Sequence, residues 1–234
     1  MKKLTIVWDF DGTILPHEPY DSEQSLLFHV MNRKQEPFGW LKKIYARAMI
    51  YADQHERLRK TFKTFYIRLL KGTSSAALDR VCRNLAEKIS SADRNVFRKL
   101  KEDGYDMMVL SCGTADLSER VLGFAGLLNC FSLIEGNRFQ FAGDRIDGMK
   151  LRLPHPADKL QMMRRLNLSP ELTMVVGDGY TDLPILDWST KPVLIDRSGR
   201  KKKYFSTRNF YFITAIPQIL KIIEKITNQR SLGR

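Results

Sequence analysis

Two rhythms of apolar residues alternate along this chain. Residues 4–8, Leu-Thr-Ile-Val-Trp, form a short, nearly continuous apolar run. Such a run predicts a strand buried on both faces, as in a parallel sheet. Comparable runs stand at 105–110, 172–176 and 193–195, with Tyr211-Phe212-Ile213 as a last edge strand. Between them the apolar spacing lengthens to three and four residues, the period of a helix. Val96, Phe97 and Leu100 mark one such helix, with Gly104 placed as its stop. A helix from Asp116 to about Leu128 follows the second run, and Leu160, Met163 and Leu166 mark another. The final one carries Ile219, Leu220, Ile222, Ile223 and Ile226 behind Pro217 at its first turn. Strands alternating with helices predict an α/β fold with a parallel sheet. Residues 130–150 depart from this, since Gly136, Gly143 and Gly148 punctuate short β-like runs and predict a hairpin or flap.

One long interval breaks the alternation. Pro16 and Pro19 resist helix and make a linker. Asp21 is then placed as an N-cap, with Gln24 as its capping-box partner, ahead of Leu26, Leu27, Val30 and Met31. After Pro37-Phe38-Gly39, helical spacing continues through Leu41, Ile44, Tyr45, Ala48, Met49 and Ala52 to Leu58, Phe62, Phe65, Tyr66 and Leu69. Thr73-Ser74-Ser75 caps a further helix with Leu78, Val81, Cys82, Leu85 and Ala86 on one side. The interval 16–87 thus predicts helices and no strand. It is expected to form an α-helical insert, with 1–15 and 88–234 making the α/β core.

Composition changes this picture in one respect only. With 234 residues, 43% hydrophobic and 28% charged, the chain has ample material for a core. Cys82, Cys112 and Cys130 are widely spaced and suggest a reducing compartment rather than a disulfide framework. The apolar run before Asp9 is too short for a signal segment, and no run approaches a membrane span, so a cytoplasmic location is expected. The net charge of +13 is the exception. It favours acidic substrates, nucleic acid or an anionic surface. The excess lies in residues 40–71, with nine Lys/Arg against Asp53 and Glu56, and in 197–208, with six and no acid. Polyanion binding through these patches, with Tyr45, Tyr66, Tyr204 and Phe205 stacking on bases, is an alternative reading without a recognised nucleic-acid motif.

Candidate chemistry gathers at the strand ends. The first strand runs into Asp9 and Asp11, one residue apart, followed by Gly12-Thr13. If the chain is still extended there, both carboxylates point the same way. So close a pair calls for a bound divalent cation or a shared proton. The second strand ends in Ser111-Cys112-Gly113-Thr114-Ala115 at the start of a helix, a geometry suited to phosphate. Lys159 lies in a helix before the next strand, which ends in Gly177-Asp178-Gly179-Tyr180-Thr181-Asp182. A parallel sheet places these tips along one edge.

In this order the motifs resemble those of the haloacid dehalogenase-like phosphohydrolase superfamily. The matching elements are Asp9-Phe10-Asp11-Gly12-Thr13, Ser111, Lys159 and the segment from Gly177 to Asp182. The likeness spans essentially the whole chain, and its first and last motifs are the specific ones. An insert after the first strand is similar to the C1-type cap of the phosphoserine phosphatase branch. The resemblance implies a Rossmann-like core with a helical cap, and Mg²⁺-dependent hydrolysis of a small phosphomonoester, phosphoserine being the leading single candidate. It implies Asp9 as the nucleophile that forms an aspartyl-phosphate, and Asp11 as general acid and base. The Mg²⁺ ligands would be Asp9, Asp178 and the backbone carbonyl of Asp11. Ser111 and Lys159 would hold phosphate oxygens, with the Gly113 N–H as a third donor and Gly12, Thr13 and Cys112 in the same binding set. Asp182 would orient Lys159 or a metal-bound water. Glu18, seven residues past Asp11, would meet the amine of the substrate. Two features depart from that branch: Thr181 stands where many members have Asn, and a small zwitterion does not require so basic a chain.

Overall fold

A computed structural model describes residues 4–33 and 59–232, with side chains for 4–32 and 63–228. Its centre is β1 (Thr5–Trp8). Ile6, Val7 and Trp8 are wholly buried, so this strand has no solvent face. Alternate residues serve opposite sides of the sheet. Ile6 and Trp8 join one apolar cluster, and Val7 joins a second. The first cluster also takes Met107, Val109, Met174 and Val176, and the second Leu110, Val175 and Leu194, so neighbouring strands divide in the same way.

The remaining strands are β2 (Asp106–Thr114), β3 (Leu133–Ala142), β4 (Arg145–Lys150), β5 (Thr173–Gly177), β6 (Lys191–Ile195) and β7 (Tyr211–Ile213). They pair in the order β4-β3-β2-β1-β5-β6-β7. All neighbours are parallel except the β3–β4 hairpin. Trp8 lies level with Val109 on one side and Val176 on the other. The Asp9 N–H then donates to the Val176 carbonyl at 2.9 Å. This register brings the ends of β1, β2 and β5 to one edge.

Helices cover both faces. In the first part of the chain they are α1 (Ser22–Arg33), α2 (Arg59–Leu70), α3 (Ser75–Ala86), α4 (Ser91–Glu102) and α5 (Ala115–Phe124). After the hairpin come α6 (Pro156–Arg165), α7 (Leu183–Trp188) and α8 (Ile219–Leu232). The apolar faces of α1, α2 and α3, including Leu26, Val30, Tyr66, Leu70, Leu78 and Leu85, merge with the cluster that holds Ile6 and Trp8. Burial of each such side chain stabilises by about 1.5–3 kcal/mol. Part of the helical interval is therefore fixed to the sheet by shared apolar packing. The periodic positions from Leu41 to Leu58, Tyr45 among them, and most of the basic stretch 40–71 lie outside the described residues.

Several boundaries differ from the expected ones. β2 continues to Thr114 instead of stopping at Leu110, because its pairing with β3 breaks after Leu110 and resumes at Thr114. Ser111, Cys112 and Gly113 thus form an irregular strand end, and the helix starts at Ala115. That helix ends at Phe124, where Gly126 takes a positive φ of 69°. The Ser74 side chain makes no cap bond to α3; the Ser75 N–H donates instead to the Asp144 carbonyl at 2.7 Å. Pro217 lies within a short 3-10 turn, Ile216–Gln218, ahead of α8 rather than in the first turn of α8 itself. Asp21 does cap α1, its Oδ1 accepting the Gln24 N–H at 2.7 Å. No disulfide joins any of the three cysteines. Among the described residues no helix is long and apolar enough to cross a membrane.

Candidate active site

The edge where β1, β2 and β5 end opens into a cleft of about 270 Å³. Asp9, Asp11, Ser111, Cys112, Gly113 and Asp178 all line it. Behind Asp9 stands Lys159, in the first turn of α6 and wholly buried. Its Nζ donates to Asp9 Oδ1 at 2.6 Å and to Asp182 Oδ1 at 2.7 Å. The other oxygen of Asp182 accepts the backbone N–H groups of Asp178, at 3.0 Å, and Gly179, at 3.3 Å. One buried carboxylate therefore ties the β5 loop to the lysine that faces the β1 tip. Close packing of this kind explains Gly177, where a Cβ would stand 2.5 Å from the Cβ of Asp182. Gly12 has a stricter reason, combining a φ of +84° with a Cβ position 2.5 Å from the Asp178 carboxyl carbon.

Asp11 is held from the helical interval. Ser22, the first residue of α1, donates its N–H to Asp11 Oδ1 and its hydroxyl to Oδ2, both at 2.9 Å. Ser111 Oγ accepts the Gly113 N–H at 2.9 Å. Asn137, on β3, fixes the irregular end of β2, donating to the Cys112 carbonyl at 2.8 Å. The Asn137 Oδ1 accepts the N–H groups of Arg152 and Leu153 at 3.0 and 3.2 Å, which anchors the segment leading to α6.

Three expected residues lie elsewhere. Glu18 is exposed and lines a neighbouring cavity with Gly12, not the cleft of Asp9 and Ser111. Pro16 and Pro19 keep this segment out of α1, so it passes beside the cleft. Thr13 is fully buried, and its carbonyl accepts from Arg197 at 2.9 Å. The basic segment 197–208, expected as a charged surface, supplies two groups here. Besides Arg197, Lys201 Nζ donates to the Asp178 carbonyl and, at 2.5 Å, to Asp178 Oδ2. The cleft also contains a buried ion pair that sequence reasoning missed. Lys63 Nζ meets Glu23 Oε2 at 2.5 Å, and the Thr114 hydroxyl donates to Glu23 Oε1 at 2.5 Å. Its only sequence signal is the placement of Glu23 in the first turn of α1, where carboxylates are common.

Charge is unevenly balanced in this site. Burial, reinforced by Asp182 and Asp178, pushes the Asp9 carboxyl well above the usual range, against the pull of Lys159. Burial also raises Asp11 and Asp178, opposed by the Ser22 donors in the first case and by Lys201 in the second. Lys159 remains charged: burial disfavours its ammonium, but Asp182 and Asp9 outweigh that and raise its pKa. Asp9, Asp178 and Asp182 offer oxygens within 4.8 Å of one another. Crowded, desolvated carboxylates are hard oxygen donors in excess of the local positive charge, a set that fits a divalent cation such as Mg²⁺.

Comparison with known proteins agrees with this arrangement. The family model for haloacid dehalogenase-like hydrolases matches residues 6–187. The chain belongs to that family. A phosphoserine phosphatase of Wolinella succinogenes is 25% identical over 202 residues, 82% of this haloacid dehalogenase-like chain and 91% of the relative. A phosphoserine phosphatase of Archaeoglobus fulgidus is 31% identical over 186 residues, covering 77% of this chain and 49% of that protein. The chain thus spans about half the length of the second relative. A solved phosphoserine phosphatase, a phospho-aspartyl intermediate analogue, superimposes with a TM-score of 0.67 at 17% identity, covering 95% of this chain and 99% of the other. The fold is that of the haloacid dehalogenase-like family, and the chain is a phosphatase of phosphoserine phosphatase-like type.

Proposed function

We propose that this phosphatase hydrolyses a phosphomonoester of a small metabolite through an aspartyl-phosphate on Asp9, with Mg²⁺ as cofactor. Residues 16–87 serve as a helical cap over a core formed by 1–15 and 88–234. The observation that carries this reading is the Asp9–Lys159–Asp182 chain of ion pairs behind a cleft also lined by Asp11 and Ser111.

Each residue has a task that its surroundings support. Lys159 engages Asp9 Oδ1, so Oδ2 is the oxygen that attacks phosphorus. Two of the three lysine donors are used by Asp9 and Asp182, which leaves one for a phosphate oxygen. Ser111 accepts from Gly113, and its own hydroxyl proton is directed to a second phosphate oxygen. Asp11, raised by burial, carries the proton that the leaving oxygen needs, while Ser22 fixes its orientation. After the alcohol departs, Asp11 is the base that takes a proton from the water hydrolysing the acyl phosphate. Asp9, Asp178 and the Asp11 carbonyl would hold Mg²⁺, which when bound offsets the repulsion between a phosphate dianion and an anionic nucleophile. Asp182 belongs outside that set, because Lys159 and two backbone N–H groups occupy its oxygens.

Phosphoserine is the leading substrate, supported by the names of the two relatives. The exposed position of Glu18 counts against the amine contact expected of it. Glu23 and Lys63 are the oppositely charged pair at the cleft, and they suit a zwitterion whose ammonium and carboxylate exchange with their partners. Acid quenching of a reaction with a labelled phosphoryl donor tests the mechanism: label is expected on the protein and absent from Asp9→Asn. An unlabelled wild-type protein during turnover would refute the intermediate. For the substrate, Lys63→Met should raise KM for phosphoserine about tenfold or more and leave p-nitrophenyl phosphate little changed. Equal effects on both would assign the pair to closure of the site instead.

Polyanion binding as the principal role has less support. Tyr66 and Phe205 are buried, and of the four aromatic residues considered for stacking only Tyr204 is described and exposed.

A further inference from the structure

Beside the catalytic cleft lies a second cavity, of about 380 Å³, which shares His17 and Asp178 with it. Its remaining charged and polar walls come from Glu18, Arg197, Ser198 and Lys201. Asp178 is already paired with Lys201, and Glu18 stands exposed at the rim. The guanidinium of Arg197 is poorly matched by its surroundings. Its Nη2 donates to the Thr13 carbonyl, one use of five N–H donors. Arg197 is exposed to solvent at the cavity, and desolvation by its immediate neighbours lowers its pKa, which Asp93 and Asp178 offset only in part. Such a group is stabilised by an anion brought to it.

The segment presenting these groups is held in place before any ligand arrives. Asp196 accepts from the Ser198 hydroxyl at 2.9 Å and from the N–H groups of Arg200, Lys201 and Lys202 at 3.2, 2.6 and 3.0 Å. The backbone that carries Arg197 and Lys201 is therefore ordered before binding, and the two side chains are tethered to the Thr13 carbonyl and to Asp178. A planar guanidinium beside an ammonium that keeps one donor after its two bonds to Asp178 matches the oxygens of phosphate or carboxylate.

We propose that this cavity is an oxyanion site, in which Arg197, Lys201 and His17 bind a phosphate or carboxylate group additional to the phosphoryl group hydrolysed at Asp9. The site gives part of the acid-free segment 197–208 a specific task. It rests on the cavity and its cations, and does not require Asp9 to be the nucleophile. The anion is either a second group on the substrate or a free ion.

Calorimetric titration with inorganic phosphate separates this site from the cleft. Wild-type protein should show two binding events, one of them competitive with p-nitrophenyl phosphate. Arg197→Gln should weaken the other event about tenfold, the scale of one charge-assisted contact. Because Arg197 also holds the Thr13 carbonyl, Glu18→Gln gives an independent arm: removing a like charge from the rim should tighten the same event. A single event in the wild type, or an event indifferent to both substitutions, overturns the proposal. A kinetic comparison then identifies the source. If the anion belongs to the substrate, phosphomonoesters bearing a second phosphate or carboxylate have lower KM than neutral ones, and Arg197→Gln removes the difference. If it is a free ion, phosphate alters the rate on a neutral ester without competing for the cleft.

Discussion

Lys159 and Asp182 meet at 2.7 Å with both side chains fully buried, and this contact joins the first turn of α6 to the loop after β5. A buried ammonium needs its carboxylates, since removing one partner leaves charge without compensation. Asp182→Asn keeps the size but loses the charge and half of the acceptor capacity. It should cost about 1.5–3 kcal/mol, the scale of a hydrogen bond to a charged group. Lys159 would then bear on Asp9 alone, and kcat should fall more than KM rises. Thermal unfolding and steady-state kinetics on the same variant check both effects. An unchanged melting temperature would contradict this role for the pair.

Gly12 and Gly143 allow a controlled comparison. Both take positive φ, 84° and 59°, but a Cβ on Gly12 strikes the Asp178 carboxylate whereas one on Gly143 meets nothing within 4 Å. Each alanine substitution should carry about 1–2 kcal/mol of backbone strain. Only Gly12→Ala should also displace Asp178 and lose activity. Gly143→Ala, at the tip of the β3–β4 hairpin, should lose stability alone. Equal activity in the two variants would show that the Gly12–Asp178 approach is not needed for turnover.

Stability in the absence of divalent cations should fall as pH rises. Burial raises Asp9, Asp11 and Asp178, so the folded protein holds these protons more tightly than the unfolded chain does. The unfolding free energy then declines from the unfolded carboxylate value, near pH ~4, up through the raised folded values, and levels off above them. Asp196 works in the opposite sense: despite some desolvation, Ser198 and three backbone N–H groups hold it low, so its contribution is lost as pH falls. Comparing Asp178→Asn with wild type isolates the raised group. The variant should show a shallower decline and a melting temperature less responsive to Mg²⁺. A parallel pH profile in the two proteins would argue against the raised Asp178.

Much of this architecture is legible from local pattern. The run ending at Trp8 and the helical spacing after Ser91 each depend on neighbours a few residues away, and the sheet forms where they indicate. Ser111 and Lys159 were recognisable only through their order relative to Asp9 and Asp178; a lone lysine on a helix reads as a surface residue, whereas this one is buried. Lys201 looks like one of six cations in a solvated segment until the topology sets β6 beside β5 and brings it to Asp178. Glu23 and Lys63 are 40 positions apart, and nothing local announces their pairing. Glu18 shows the reverse case: the family resemblance implies a substrate contact for it, but the path of the Pro16–Pro19 linker is a three-dimensional matter that a matched position does not encode.

Asp9 bears most directly on the whole account. Hydrolysis of p-nitrophenyl phosphate should be measured with Mg²⁺ for wild type, for wild type in excess EDTA, and for Asp9→Asn. Loss of the nucleophile should lower kcat by at least ~10³-fold, because only binding and electrostatic contributions remain. Chelation should abolish most of the wild-type rate. Equal rates in the three reactions would contradict the account.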